Sequence, residues 1–257
     1  MTVTAWQGEL VDRAYVFGLG CEATVPLPGI SGIGPTVRPH DIARLDRGNA
    51  PGFDVAEANE IQIPLQLGGK EPVADITAAI TEMRAAWRNA RTGEMRLDLH
   101  HPGVIDGVAS FFGRPRGVTV DTSMVAVGYA RGLATFAATD PLAYGPLVDT
   151  GTQVSTFTID SAGTEASDRA TMTIIGDGSE PVITNLDHGG VVQLAGVLPI
   201  GDECVIDLHE RTVVTEGVAA PEDLDPISSW FQIHPGEQDI VVTGCASVQI
   251  VYRAAFA

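Results

Sequence analysis

The sequence predicts a mainly β protein that contains one helix and divides into two domains. Apolar and polar residues alternate in several short segments, which is the pattern of half-buried strands. Only one segment repeats its apolar residues at helical spacing. In the second half, turn residues recur about every 8–12 positions, as in antiparallel β-sandwiches. The length of 257 residues suits two domains of modest size.

The first clear strand covers residues 61–67. Every second residue in it is apolar, and the set comprises Ile61, Ile63, Leu65 and Leu67. Pro64 falls on the polar face and cannot donate a backbone hydrogen bond, so we expect this strand at a sheet edge or a bulge. The pair Gly68-Gly69 ends the strand.

One amphipathic helix is predicted over residues 73–91, after Pro72. Its apolar residues recur at spacings of three and four, and the stripe comprises Val73, Ile76, Ile80, Met83 and Trp87. Three arginines (Arg84, Arg88 and Arg91) occupy the last two turns, where the helix dipole favours cations. We interpret the stripe as core.

Further strands complete the first domain. Residues 95–100 alternate again, and residues 118–127 and 129–137 are each predicted as a strand. The segment Tyr144-Gly145-Pro146 interrupts regular structure, so we place the domain boundary there, giving domains 1–145 and 146–257. The charge balance changes at the same point: residues 1–145 hold 16 acidic and 12 basic residues, and residues 146–257 hold 17 and 3.

The second domain is predicted to be an antiparallel β-sandwich. Strand-like segments begin near Thr156 and Thr171 and recur at residues 191–194, 204–208 and 212–214. The last thirty residues are interpreted as a three-strand meander, with strands at residues 230–233, 240–242 and 248–252. A meander buries one face only when another layer covers it, so we expect the chain to end inside a sandwich.

The segment of residues 27–59 shows little periodicity and is rich in proline and glycine. A long loop of this kind in a compact domain is usually functional when it is ordered. We therefore interpret it as a surface that one subunit donates to its neighbour.

Composition excludes several classes of function. The formal net charge of −18 disfavours nucleic acid and anionic lipid as partners. No apolar run approaches the roughly 18 residues of a membrane-spanning helix, and residues 1–6 do not form a secretion signal. The three cysteines (Cys21, Cys204 and Cys245) lack metal-ligand spacing, so we expect reduced and mostly buried thiols.

No catalytic, cofactor or metal site is predicted. The two segments most able to carry chemistry are Asp187-His188 and residues 207–210, which include His209 and Glu210. Each is also what a sheet-end turn in an acidic domain looks like. A weak Ca²⁺ site among the carboxylates stays open as an alternative, because Ca²⁺ prefers oxygen ligands.

The order of elements resembles the distal tail proteins of long-tailed phages, which in actinobacteriophages are called minor tail proteins. The resemblance covers nearly the whole chain. It rests on the strand EIQIPLQLGG, the helix VADITAAITEMRAAW, the junction FAATDPLAYG and the C-terminal segments WFQIHPGEQDIVVTG and VQIVYRAAF.

The resemblance implies a β-rich belt domain with one helix, six copies of which close into a ring, and a galectin-like β-sandwich outside it. It further implies a structural, non-enzymatic protein of the virion, made in the host cytoplasm. Its ring would join the tail tube protein to a tail-tip or baseplate hub protein during host attachment.

Two other classes of function remain as alternatives. The first is a carbohydrate-binding or receptor-contacting module, in which Trp230 would stack on a sugar; the apolar segment around Trp230 favours a core position instead. The second is a hydrolase, which would require Asp187, His188, His209 and Glu210 to converge in one cleft.

Overall fold

A computed structural model describes residues 7–13, 15–18, 23–24, 36–40, 58–67, 74–88, 94–100 and 108–256. The chain divides into two compact units, Met1–Ala143 (unit 1) and Tyr144–Ala257 (unit 2). The strands of both units pair in antiparallel ladders, and the described residues contain one α-helix. The expected mainly β fold with one helix is thereby confirmed. No helix in the described part of the chain is long and apolar enough to span a membrane.

Unit 1 is built on antiparallel strands and a helix that packs on them. In chain order these are β1 (Gln7–Leu10), β2 (Tyr15–Gly18), β3 (Ala23–Thr24), β4 (Thr36–His40), β5 (Ala58–Leu67), α1 (Ile76–Ala86), β6 (Met95–His100), β7 (Val108–Asp121) and β8 (Ala130–Ala138). The strand order is β2-β1-β6-β7-β8-β5, and β3 and β4 both pair with β5.

The core of unit 1 lies between α1 and the sheet, as the alternation in β5 predicted. The four apolar residues of residues 61–67 are all buried, and they belong to one cluster with the helix residues Ile76, Ile80 and Met83. Trp87 joins this cluster and is 0% exposed. The core interpretation of the helical stripe is therefore confirmed for its described members, while Val73 lies outside the described residues.

The predicted position of Pro64 at a sheet edge was wrong, because β5 has partners on both sides. It pairs along residues 60–67 with β8, and on its other side with β4 at residues 58–62 and with β3 at residues 66–67. Pro64 falls between the latter two paired stretches of the described chain. A proline is compatible with a central strand there, since no ladder bond to β3 or β4 is required of it.

The helix is shorter than the predicted span of residues 73–91. It begins after Asp75, whose side-chain Oδ1 accepts a hydrogen bond from the backbone N–H of Ala78 at 2.9 Å. It ends at Ala86, and Trp87 is the C-terminal cap. Arg13 caps the same end from another segment, since its Nη1 donates to the carbonyls of Ala85 and Ala86 at 2.9 and 2.5 Å. These two caps fix the ends that periodicity alone could not locate.

The predicted strand of residues 118–127 was also misplaced. β7 begins earlier, at Val108, and continues past a bulge between Pro115 and Gly117. It ends at Asp121, whose Oδ1 accepts the backbone N–H of Ser123 at 2.9 Å and so starts a turn. A short 3₁₀ helix, Val125–Val127, follows in place of the expected strand end.

Unit 2 is a sandwich of two antiparallel sheets. Its strands are β9 (Ala143–Asp149), β10 (Phe157–Ser161), β11 (Ala170–Ile175), β12 (Val182–Asn185), β13 (Val191–Gln193), β14 (Glu203–Asp207), β15 (Thr212–Thr215), β16 (Val218–Ala219), β17 (Gly236–Thr243) and β18 (Ser247–Phe256). One sheet has the order β16-β15-β14-β11-β18-β9 and the other β10-β17-β12-β13. Buried residues of both sheets form one cluster.

The segment Tyr144-Gly145-Pro146 does not interrupt regular structure, contrary to the prediction, but lies inside β9. Tyr144 is buried, and the guanidinium of Arg169 lies 5.1 Å from its ring centroid. The buried Arg253 donates from Nη1 to the carbonyl of Gly145 at 2.7 Å. Side chains from distant strands therefore hold this proline- and glycine-containing segment in extended form.

The predicted C-terminal meander was wrong in two respects. Residues 230–233 form no strand; Ile233 makes only an isolated bridge with Ser167. The strands β17 and β18 do not pair with each other but belong to opposite sheets. Gly244, at φ +68°, connects them, and a Cβ there would lie 2.0 Å from the Glu180 carbonyl oxygen. The chain crosses between the layers at this glycine, so the expectation of an end inside a sandwich holds although the pairing differs.

Replacement of Trp87 by alanine should lower the free energy of unfolding by about 3–5 kcal/mol, because it empties a buried aromatic site. Arg88→Ala is the matched control: Arg88 is exposed beside it and should cost well under about 1 kcal/mol. Urea denaturation of both variants measures the difference. Equal, small losses would contradict the packing of α1 on the sheet.

A fragment of residues 143–257 should fold as an acidic, β-rich monomer, since it contains all of β9. A fragment of residues 148–257 lacks Tyr144 and Gly145 and leaves Arg253 buried without that carbonyl, so it should be markedly less stable. Circular dichroism and light scattering on both fragments provide the test. If residues 143–257 are unfolded, or form the oligomer alone, the separation into two folding units fails.

Candidate functional site

The outer face of the unit 1 sheet is the first candidate site. The inner faces of β5, β7 and β8 pack on the core beneath α1, so alternate residues of these strands point away from it. Cross-strand pairing aligns Gln62 with Thr135, and Pro64 with Leu133, which in turn pairs with Thr119. We call these five residues the neutral face. Leu133, at its centre, is 39% exposed.

Charged residues flank the neutral face along the strands. Glu60 and Arg114 both pair with Ala137 at one end, and Asp121 and Arg131 pair with each other at the other end. Hydrogen bonds from the backbone and side chain of Ser123, with a smaller effect of Arg131, lower the pKa of Asp121 below its ordinary value. The face thus combines an uncharged centre with borders that carry one charge of each sign, in a chain whose net charge is −18.

The second candidate site comprises the histidines of unit 2, and the structure separates the two segments that the sequence put forward. His209 pairs with Asp168, with Nδ1 3.1 Å from Oδ1, and its Nε2 lies 3.9 Å from Glu210. His188 instead stacks on His234, with ring centroids 3.9 Å apart. Neither pairing could be read from neighbouring residues, because each joins segments more than forty residues apart.

The carboxylates beside these histidines build turns. Asp187 accepts the backbone N–H of Asp239 at 2.6 Å, and Asp207 accepts those of His209 and Glu210 at 2.9 and 2.8 Å. These bonds occupy the groups that a hydrolytic dyad would need. The geometry therefore gives no support to the hydrolase alternative.

Asp168 is the carboxylate that lies closest to the ring of His209. Burial by itself raises the pKa of its carboxyl group, but the hydrogen bond and charge of His209, together with the charge of Arg169, outweigh burial and lower the pKa below its ordinary value. The pair is therefore an ion pair whenever His209 is protonated.

The other residues considered from the sequence are possible metal ligands, Trp230 and the cysteines, and their surroundings indicate structural roles. No group of three or more potential metal ligands occurs among the described residues, so nothing there favours the Ca²⁺ alternative. Trp230 is half-buried and packs on the unit 2 core, which is the core position that the sequence favoured. Cys204 and Cys245 are free, and burial raises the pKa of both thiols. Cys21 and His101 lie outside the described residues, as do the side chains of His40 and His100.

Comparison with known proteins supports a tail component. Residues 162–256 match the family model of the siphovirus-type tail component, C-terminal domain. No curated protein matches the chain. The crystal structure of the SPP1 Dit protein, described as a paradigm of the hub adsorption apparatus in phages that infect Gram-positive bacteria, is similar over 99% of this chain and 100% of its own, with a TM-score of 0.63 and 17% identity.

Two structures of the phage p2 baseplate in its activated conformation are similar as well. The Ca-containing one has a TM-score of 0.56 and the Sr-containing one 0.51, each at 9% identity and with 97% of both chains covered. The predicted resemblance to siphophage distal tail proteins is confirmed by the family model and the fold match together. Residues 162–256 thus resemble the C-terminal domain of siphovirus-type tail components, and the chain as a whole is similar in fold to the SPP1 Dit protein.

Asp168→Asn should lower the melting temperature of the protein more at pH 7 than at pH 3, because the wild-type carboxylate is ionised at pH 7 and becomes protonated in acid. The depressed pKa of Asp168 stabilises the fold above the ordinary value of about 4, and this contribution disappears as the pH falls through the folded-state pKa. The effect should stay below about 1 kcal/mol, since the pair is partly solvated. Thermal scans across pH measure it, with Asp160→Asn as the exposed control. A loss that is the same at both pH values would contradict the ion pair.

Proposed function

We propose that this chain is the distal tail protein of a long-tailed phage and that six copies close into a ring between the tail tube and the tail-tip or baseplate hub. The observation that carries the proposal is the fold match through both units, 99% of the chain, to a protein described as a hub component. The role is structural and not enzymatic, and the protein resides in the virion, at the tail tip.

The neutral face is our candidate for the contact between neighbouring copies. Like charges repel, so in a chain of net charge −18 a surface that carries little net charge favours close approach of a second copy. The neutral face has an uncharged centre with Pro64 and Leu133, and interface centres are typically depleted of charged residues. In a ring, one patch meets a different patch, so its counterpart lies elsewhere on unit 1.

The segment of residues 27–59 remains our candidate for that counterpart. Of this segment the structure describes Thr36–His40, which is strand β4 and not irregular loop as predicted, and the first residues of β5. β4 pairs antiparallel with β5, which anchors the segment to the strand that carries Gln62 and Pro64.

Unit 2 is proposed to lie outside the ring and to contact the tail-associated hub or other host-attachment proteins. Most of the chain's excess negative charge belongs to this unit, with 17 acidic and 3 basic residues after position 145. Such a surface disfavours sequence-specific nucleic-acid binding and insertion into anionic membranes. Protein partners, namely the tail tube protein and the hub, are therefore the expected ones.

Light scattering on the purified full-length chain should give about six protomers, or a mixture that reaches six as concentration rises, and negative-stain images should show rings.

Leu133→Glu introduces a charge at the centre of the neutral face and should shift the protein toward monomer with an unchanged circular dichroism spectrum. Val154→Glu is the control, because Val154 is an exposed aliphatic residue of unit 2, at 73%, and does not belong to the neutral face.

Two outcomes would count against different parts of this proposal. A strict monomer at high protein concentration would contradict the ring itself. Rings that persist in Leu133→Glu, or that disappear in Val154→Glu, would contradict the assignment of the contact to the neutral face and leave the ring intact as a proposal.

A further inference from the structure

The stacked pair His188–His234 joins two turns at one end of the unit 2 sandwich. His188 lies in the turn between β12 and β13, and His234 precedes β17. The ring centroids are 3.9 Å apart, and the ring planes differ by 16°. Neutral imidazoles attract each other in this arrangement, whereas two imidazolium ions at the same distance repel. The geometry of the pair therefore depends on its protonation.

A buried amide pair fixes the backbones of both turns. Asn185 and Gln238 are 0% and 1% exposed, and Asn185 Nδ2 donates to Gln238 Oε1 at 2.7 Å. Gln238 Nε2 donates to the carbonyl of His234 at 2.8 Å, while the backbone N–H of His188 donates to Asn185 Oδ1 at 3.2 Å. Each histidine is thus attached through its own backbone to the same buried pair.

These bonds hold the backbones of the two turns, while the side chain of His188 is exposed. Repulsion that moves a turn breaks a hydrogen bond to a buried amide. A buried polar group that loses its partner destabilises the closed state further. Protonation of the rings is in this way coupled to the interior of the sandwich.

Several charged groups lie on the elements around the histidine pair, but they do not provide the link between its protonation and the buried amides. They are Asp187 on the turn of His188, Glu237 and Asp239 on β17, and Glu165, Asp168 and Arg169 on the segment that bridges to Ile233 through Ser167. Asp187 is bonded to the backbone of Asp239, and Asp168 to His209. Burial, followed by the charge of His188, lowers the pKa of His234 below its ordinary value.

We propose that the His188–His234 stack is a pH-sensitive latch, which holds the turn of residues 186–190 against residues 233–236 at neutral pH and releases it in mild acid. Because the pKa of His234 is lower in the folded state, the closed form binds a proton less readily than the open form. The stabilisation is therefore complete above the ordinary histidine value of about 6.5, and it decreases as the pH falls through that value toward the folded-state pKa.

Hydrogen exchange of the full-length protein at pH 7.5 and pH 5.5, corrected for intrinsic exchange rates, tests the latch. The amides of residues 186–190 and 233–236 should be less protected at pH 5.5 than at pH 7.5, because the closed form binds a proton less readily than the open form. Amides of the central strand β11 should keep their protection. Because this readout follows local opening, its result does not depend on whether the chain forms a ring.

Three variants separate the latch from other effects of acid. His188→Lys places a permanent charge beside His234 and should open both turns at pH 7.5, whereas His188→Gln should not. His234→Gln removes the proton acceptor and should abolish the difference between the two pH values. His209→Gln changes the neighbouring pair with Asp168 and should leave that difference in place. A pH response that survives in His234→Gln, or equal protection in the lysine and glutamine variants of His188, would overturn the proposal.

Discussion

Burial of one apolar face per strand is the constraint from which both units follow. In unit 1, alternate residues of β5 and β8 need a cover, and α1 provides it with Met83 and Trp87. In unit 2 the cover is a second sheet, so one buried cluster draws on both layers. The other face of the unit 1 sheet is not covered by α1. In our proposal, this uncovered face is the one that unit 1 presents to a neighbouring copy.

The strands with strict alternation could be predicted from the sequence, and β5 and β6 lie where they were expected. This prediction needs only local information, because the polarity of each side chain indicates which face of the strand it occupies. Sheet membership is not local: the sequence of β17 and β18 reads as a hairpin, and only the close approach of Gly244 to Glu180 sends them into opposite layers. The ends of α1 depend likewise on Asp75 and on Arg13, a residue far from the helix in sequence.

The sequence singled out His188 and His209, but it did not indicate their partners His234 and Asp168. Adjacency suggested that Asp187 would act with His188, yet the carboxylate of Asp187 bonds a backbone N–H of β17. A carboxylate next to a histidine in a turn accepts a backbone hydrogen bond in preference, because an unpaired N–H near the interior raises the free energy of the folded state. The stack with His234 requires that β12 and β17 be neighbours, and this neighbour relation follows only from the complete sheet order.

The bond from Arg253 to the carbonyl of Gly145 spans 108 positions, and that from Gln249 to Asp149 spans 100. Such a contact forms only when two distant segments of the chain come together. The loss of chain entropy on closing that loop must be offset before the contact contributes to stability. The short hairpins β12–β13 and β14–β15 need no such step. Unit 2 should accordingly fold slowly relative to its hairpins.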